Sequence, residues 1–459
     1  MPNKFDAIII GTGQSGPSMA HRLAAAGRRV AIVERKRFGG TCVNNGCIPT
    51  KTLVASAQAA YVARRAAEFG VRIAGPVTVD MKAVKARKDA VVRVSNEGVE
   101  EGLRERGGCT VHVGHARFIG PKRVRVGEGE LEGEQIFINV GGRATIPPVP
   151  GIDSVPYLTN STMMEVDFLP KHLVILGGSY IGLEFGQMYR RFGSEVTIIE
   201  QGPHVIPRED EDVSLAIRAI LEDEGIRILT NAEVERVAPS SGGVALSLKV
   251  AGRAEEVIGT HLLLATGRRP NTDDLGLDAA GIIVDARGYI TVDDQLRTNL
   301  PGVFAIGDCN GRGAFTHTSY NDFEIVAANL LDGGSRSVAD RIPTYGLFVD
   351  PPLGRAGMTE RDVRQRGVRA LVAKMPMEDV GRAYERSETK GFMKIIVDGD
   401  TQQLLGAALL GIGGDEIVQG LLDLMYAKAP YTVILRAMHI HPTVYEMIPV
   451  MLEDLQPLT

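Results

Sequence analysis

The sequence predicts an α/β protein of three parts, two copies of a strand, glycine turn, helix, strand unit followed by an α+β domain. Three observations carry that prediction. An apolar run from Asp6 to Ile10 leads into Gly11-Thr-Gly13-Gln-Ser-Gly16, a helical stretch ending at Gly27, and a second run from Arg29 to Glu34. The same order returns between His172 and Glu200, with Gly177-Gly178-Ser179-Tyr-Ile-Gly182 as its turn. From about Arg341 the pattern changes to two strand-like runs, Met393 to Val397 and Leu404 to Leu410, around Asp398-Gly399, with a helix after Asp415.

The first unit carries the full dinucleotide fingerprint and the second repeats it with one departure, which makes both Rossmann-like. Gly11 allows the tight turn, Gly13 lets backbone approach a pyrophosphate, and Gly16 lets helix pack on strand. The helix N-terminus favours a diphosphate, and Glu34 can accept ribose hydroxyls. In the second unit, Gly177, Gly178 and Gly182 repeat the pattern, with Ser179 in the place of the middle glycine. Glu200 closes that unit. An acid at this strand end accepts the 2′-hydroxyl of NAD and repels the 2′-phosphate of NADP, so NADH is expected over NADPH.

Between and after the units, helices are expected from Lys51 to about Phe69 and from Met81 to Arg106, and strands at Arg123 to Val126 and Gln135 to Asn139. Pro147, Pro148 and Pro150 mark a boundary between domains. Val213, Ala216, Ile217, Ile220 and Leu221 have the spacing of one helix face, read as core packing. With 459 residues the chain is long enough for two or three cores. Its net charge of −5 offers no electrostatic case for nucleic acid or an anionic membrane. No apolar run approaches a membrane span, and the first strand starts almost at Met1, so a cytoplasmic protein without signal peptide is expected.

Cys42 and Cys47 are where chemistry is expected. In a regular helix, residues five apart lie about 8–9 Å apart at Cα, whereas a disulfide needs less than about 7 Å. Closure therefore requires a distorted first turn, which Asn45-Gly46 can supply while Pro49 suits a helix starting nearby. Lys51, one turn after Cys47, favours a thiolate. Two free core cysteines, or half of a zinc site, are the alternatives. Neither Cys109 nor Cys309 has a close cysteine partner in sequence, and no metal site is expected.

The segment Gly39-Gly40-Thr41-Cys42-Val-Asn-Asn-Gly-Cys47-Ile-Pro-Thr-Lys51 resembles the active-site signature of the pyridine nucleotide-disulfide oxidoreductases, the flavoprotein family of glutathione reductase, dihydrolipoamide dehydrogenase and mercuric reductase. The resemblance implies FAD in the first unit, the nicotinamide nucleotide in the second, and a redox-active Cys42–Cys47 disulfide. Cys47 is then the flavin-proximal thiolate, Cys42 the exchange thiol, and Lys51 with Glu184 an ion pair beside flavin and nicotinamide. Gly40, Thr41, Ala116 and Gly267 are further implied cofactor contacts. The run Thr298 to Asp308 resembles the second flavin motif, in which the aspartate binds the ribityl chain. His441-Pro-Thr-Val-Tyr-Glu446 resembles the acid/base signature, where histidine reaches the other subunit's cysteines and glutamate orients it; His439 is the spare. The implied division is an FAD-binding domain over 1–150 and 272–340, an NAD(P)-binding domain over 151–271, and an interface domain over 341–459 that forms a homodimer.

The acceptor is less sharply implied. The cysteine segment and Asp350-Pro-Pro-Leu-Gly-Arg-Ala-Gly-Met358 look most like the mercuric reductase-like branch. A small oxidised acceptor follows: a metal ion, a disulfide, or a sulfenyl-type oxidant such as hypothiocyanous acid. The expected lack of an N-terminal metal-binding domain and of a C-terminal cysteine pair argues against a dedicated mercury reductase. Dihydrolipoamide dehydrogenase, an NADH oxidase and a non-enzymatic flavin redox sensor are the other readings.

Overall fold

The computed structural model describes residues 2–106 and 108–458. Its first sheet has seven strands, and its parallel part is assembled from distant pieces of chain. Asn3–Ile10 lies between Val30–Glu34 and Gly129–Ile138, and Val303–Ala305 adds to the far side of Gly129–Ile138. Ile8, Ile9, Ile32, Ile136 and Phe137 are fully buried. They pack against Met19, Leu23 and Ile325 of helices and against Phe118 and Val124 of the antiparallel strands, so these strands are continuous apolar runs without alternation. Arg123–Val126 and Ala116–Gly120 extend the sheet as antiparallel strands.

The second sheet is parallel, in the order Arg227–Leu229, Glu195–Ile199, His172–Leu176, His261–Leu264, Leu158–Thr159. One face packs on the helices Tyr180–Phe192 and Glu211–Asp223, the latter burying Val213, Ile217, Ile220 and Leu221 as its spacing predicts. The other face packs on a three-stranded antiparallel ribbon, Ala232–Ser240, Gly243–Val250 and Arg253–Gly259, through Val237, Leu246 and Val257.

The third sheet has six antiparallel strands, with the predicted hairpin present as Phe392–Asp398 and Leu404–Leu410. Helix Gly414–Tyr426 packs on it through Val418 and Leu421. The expected helix over 81–106 is α-helical through Glu101 and finishes as a π turn, Gly102–Arg106. The one after Lys51 begins at Cys47, runs to Arg64 and ends in a 3-10 turn, Ala66–Phe69.

The third sheet is tied to the second domain by a buried ammonium. Lys394 Nζ lies 3.0 Å from Asp210, 2.8 Å from Asp212 and 2.8 Å from Glu360. These three carboxylates converge closely enough to hold a cation, and the lysine is that cation. Among the described residues no helix is long and apolar enough to cross a membrane.

Candidate active site

The first glycine turn is held from below by Asn139, at the end of Gly129–Ile138. Its Oδ1 accepts from the Gly16 amide at 3.2 Å and its Nδ2 donates to the Ile306 carbonyl at 3.0 Å. Gly11 adopts φ +105°, and a Cβ there would sit 2.3 Å from the Asn139 carbonyl oxygen. The residue before the helix Ser15–Ala25 makes no side-chain cap, and the positive end of the helix dipole points to the glycine turn, where it favours an anion. Glu34 ends the second strand, where its Oε2 accepts from the Thr12 amide at 3.1 Å and hydroxyl at 2.6 Å. Ala116 is buried at the same end of the sheet, two residues past Gly114, whose amide bonds the Glu34 carbonyl.

The cysteine segment is packed directly on this turn. The Gly39 amide donates to Thr12 Oγ1 at 3.2 Å, and a Cβ on Gly40 would lie 2.8 Å from Gly13 Cα. Helix Gly40–Asn45 carries Thr41 and Cys42; the backbone breaks at Gly46 (ψ −119°), and a second helix starts at Cys47. A side chain at Gly46 would meet the Thr41 carbonyl at 2.8 Å. This is the distortion that the five-residue spacing demands.

Both cysteines are free thiols, close enough for each to act on the other's acidity. Their proximity drives them apart in acidity. The contact with Cys42 is the largest influence lowering Cys47, to about 6; Thr316 and the Lys51 charge assist, while burial and Glu184 oppose. Cys42 is pushed above the ordinary thiol range, first by Cys47 and then by burial. Of the pair, Cys47 ionises and Cys42 holds the proton. Cys309 is fully buried, and burial raises it to about 12, as a packed thiol should be.

Lys51 Nζ donates to Glu184 Oε2 at 2.7 Å, and Glu184 is buried in the second turn of Tyr180–Phe192. The other Glu184 oxygen accepts from the Phe348 amide at 3.0 Å, and the Lys51 ammonium lies 4.4 Å from the Phe348 ring centroid. Gly177 repeats the role of Gly11: φ is +109°, and a Cβ would lie 2.4 Å from the Ala265 carbonyl. Ser179 is extended (φ −99°), so this position needs no glycine backbone. A Cβ on Gly182 would meet the Gly177 carbonyl at 2.0 Å. Glu200 is locked by two amides, Gly178 N–H to Oε2 at 2.7 Å and Gly202 N–H to Oε1 at 2.8 Å.

A cavity of about 1140 Å³ lies beside these elements, lined by Gln14, Tyr180, Arg268, Asp308 and Thr316 among others. Asp308 follows the strand Val303–Ala305, and burial raises its pKa; Arg268 Nε stands 3.9 Å away. Gly267 (φ +115°) turns the chain just before Arg268 and accepts from the Thr145 amide at 2.9 Å. His441 Nδ1 contacts both Glu446 oxygens at 3.1 Å. The Thr443 amide, and then His441, hold the Glu446 carboxyl below its usual range. The His441 side chain is 82% exposed, and among the described residues it bonds neither cysteine of its own chain. His439 instead packs on the Tyr445 ring, with centroids 5.0 Å apart.

Two dinucleotide cradles, a polarised dithiol and a Lys–Glu pair between them define a flavoprotein disulfide reductase. Residues 5–322 match the pyridine nucleotide-disulphide oxidoreductase model and 343–452 the dimerisation domain of that name. The chain belongs to this family, which binds FAD and takes electrons from NAD(P)H. It is 39% identical over 453 residues to the probable pyridine nucleotide-disulfide oxidoreductase RclA of Escherichia coli, covering 97% of this chain and 98% of that one. A dihydrolipoyl dehydrogenase of Thermus scotoductus is 34% identical over 96% of this chain and 95% of its own length, and a mercuric reductase of Streptomyces lividans 34% over 90% and 88%. Among solved structures, the Cu(II) complex of the HOCl-induced flavoprotein disulfide reductase RclA from Escherichia coli superposes with a TM-score of 0.89 at 37% identity, covering 98% of this chain and 99% of that one. The uncapped helix, the glycine at φ +105° and the acid at the second strand end fit the diphosphate and ribose of FAD.

Sequence reasoning passed over Asn139, Thr316, Tyr180 and Asp322. Asp322 is buried and accepts from the Gly307 amide at 2.7 Å, Asn310 Nδ2 at 2.8 Å and Arg341, which shapes the turn before Asp308. The glycine-rich stretch Gly311 to Gly313, just before Thr316, was the available signal for a loop facing a cofactor.

Proposed function

We propose that this protein is a homodimeric NADH-dependent oxidoreductase that reduces a small oxidised sulfur species, a sulfenyl-type oxidant or disulfide, with metal ions as competing acceptors. The observation that carries the reading is the split acidity of the two thiols, which leaves Cys47 as the anion and Cys42 as the thiol. FAD, held by Gly11, Gly13, Gly16, Glu34, Ala116 and Asp308, supplies the two-electron link between nicotinamide and the cysteine pair. Lys51, paired to Glu184, adds positive charge beside Cys47. Glu200, with both oxygens fixed by backbone amides, supports NADH over NADPH.

The cycle at the cysteines balances as follows. Cys42 loses its proton to His441 of the partner subunit, attacks the electrophilic sulfur of the acceptor and forms a mixed disulfide. The leaving group departs with its bonding electron pair and takes the proton back from that imidazole. Cys47 then attacks Cys42, releases the second reduced product and closes the disulfide, which two electrons from NADH reopen. Glu446 orients the imidazole. The RclA of Escherichia coli is an HOCl-induced flavoprotein disulfide reductase, which supports an oxidant-derived acceptor.

The test is steady-state NADH consumption by FAD-loaded protein with hypothiocyanous acid, glutathione disulfide, oxidised lipoamide, cupric ion, mercuric ion with excess thiol, and oxygen alone. Fastest turnover with hypothiocyanous acid, abolished by Cys42→Ser, is the expected result. Fastest turnover with lipoamide makes the protein a dihydrolipoamide dehydrogenase, and slow oxygen consumption that survives Cys42→Ser overturns the thiol mechanism.

A further inference from the structure

Thr316 stands at the start of the helix Thr316–Leu331, and its hydroxyl oxygen lies 3.1 Å from the sulfur of Cys47, 269 positions earlier in the chain. The same hydroxyl also faces Cys42, which it lowers against the larger opposing effects of Cys47 and burial. Its location is fixed from several sides. Phe315, the residue before it, donates its amide to Thr318 Oγ1 at 3.1 Å and stacks flat between the rings of Tyr345 and His317, with interplanar angles of 3° and 9°. His317 is anchored in turn to the Thr344 carbonyl at 2.8 Å. The stacked rings on either side fix the backbone from which the threonine hydroxyl projects.

A thiolate accepts hydrogen bonds and cannot donate one. When Cys47 is ionised, the Thr316 hydroxyl must be the donor, and the bond is charge-assisted; when Cys47 is a neutral thiol it is an ordinary weak contact. The helix N-terminus adds partial positive charge at the same point. The other groups facing Cys47 are Cys42, Lys51 and Glu184, and they do not substitute for this contact. Cys42 surrenders its proton when it attacks, Lys51 acts without a hydrogen bond to the sulfur, and Glu184 opposes the negative charge.

We infer that Thr316 is a catalytic residue, the donor that keeps Cys47 anionic during the part of the cycle in which Cys42 is engaged with the acceptor. This rests on the reading of Cys47 as the ionising member of the pair. Its consequence is directional: with Thr316 holding the negative charge on Cys47, the acceptor exchanges with Cys42.

The experiment is a pH titration, from about 4.5 to about 8.5, of the long-wavelength thiolate-to-flavin absorbance of the two-electron-reduced holoenzyme. Wild type should titrate near 6. Thr316→Val, which keeps the shape and removes the donor, should raise the midpoint by about one pH unit and cut the absorbance at pH 6 about fivefold. Thr316→Ser should return it towards wild type. Thr316→Ala serves if the valine variant fails to retain flavin. A valine or alanine variant that titrates with wild type, or a serine variant that shifts as far as valine, overturns the role of Thr316. Absence of any titrating band in wild type overturns instead the reading of Cys47 on which it rests.

Discussion

The two dinucleotide units share one frame and differ in what closes over them. In the first, the chain folds back at once: Gly39 and Gly40 sit on Thr12 and Gly13, and the cysteine helices follow. Its strand-end acid, Glu34, is buried. In the second, Glu200 is half-buried, and the loop after it is pinned to the third domain through Glu209, which accepts from Tyr345 at 2.5 Å, and through Asp210 and Lys394. One motif thus serves two kinds of occupancy. A site roofed by its own chain suits a group that stays, and a site whose acid is only half-buried suits a nucleotide that arrives and leaves each cycle.

The largest effect that separates the units should come from Cys47→Ser. Acceptor turnover is expected to fall at least about a thousandfold, as for loss of a reacting nucleophile, while NAD⁺ binding to the second unit, read by calorimetry, persists. Retained turnover would break the link between the first unit and the thiols. Next in size is a matched pair, Gly11→Ala and Gly177→Ala, each forcing a Cβ to within 2.4 Å of a carbonyl oxygen at a positive φ. Strain of about 1–3 kcal/mol corresponds to about a 5- to 150-fold loss of affinity. Gly11→Ala should release flavin on dialysis; Gly177→Ala should keep flavin and weaken NADH. If both lose flavin, the units are not independent. The smallest is Glu200→Arg, which should move the NADPH to NADH ratio of kcat/KM by about tenfold; an unmoved ratio places cofactor choice elsewhere.

Much of this site could be read from sequence because it is written locally. The glycine turns, the cysteine segment, the strand-end acids and His441 with Glu446 each lie within one short stretch, where spacing alone constrains geometry. The Lys51–Glu184 pair, 133 positions apart, was reachable only through family resemblance. Residues whose meaning depends on a remote partner stayed hidden. Asn139 is an unremarked strand end until it meets Gly16, 123 positions back, and Ile306, 167 positions on. Thr316 reads as an ordinary helix start until the fold sets it on Cys47. The ribbon 232–259 was missed because its polar, half-exposed strands lack the apolar runs that mark buried ones.

The strand Val303–Ala305 has a bearing on synthesis as well as on architecture. It completes a sheet begun at Asn3, beside a strand that ends at Ile138, and Ser15 near the N-terminus waits for Ser319, 304 residues later. The second unit, by contrast, draws its parallel strands from a single uninterrupted stretch of chain. On a ribosome the nucleotide unit in the middle can therefore finish folding while the one that started first still lacks a strand. The segment that brings that strand also brings Asp308 and Thr316, so the flavin cradle and the group that touches Cys47 are completed in the same late event.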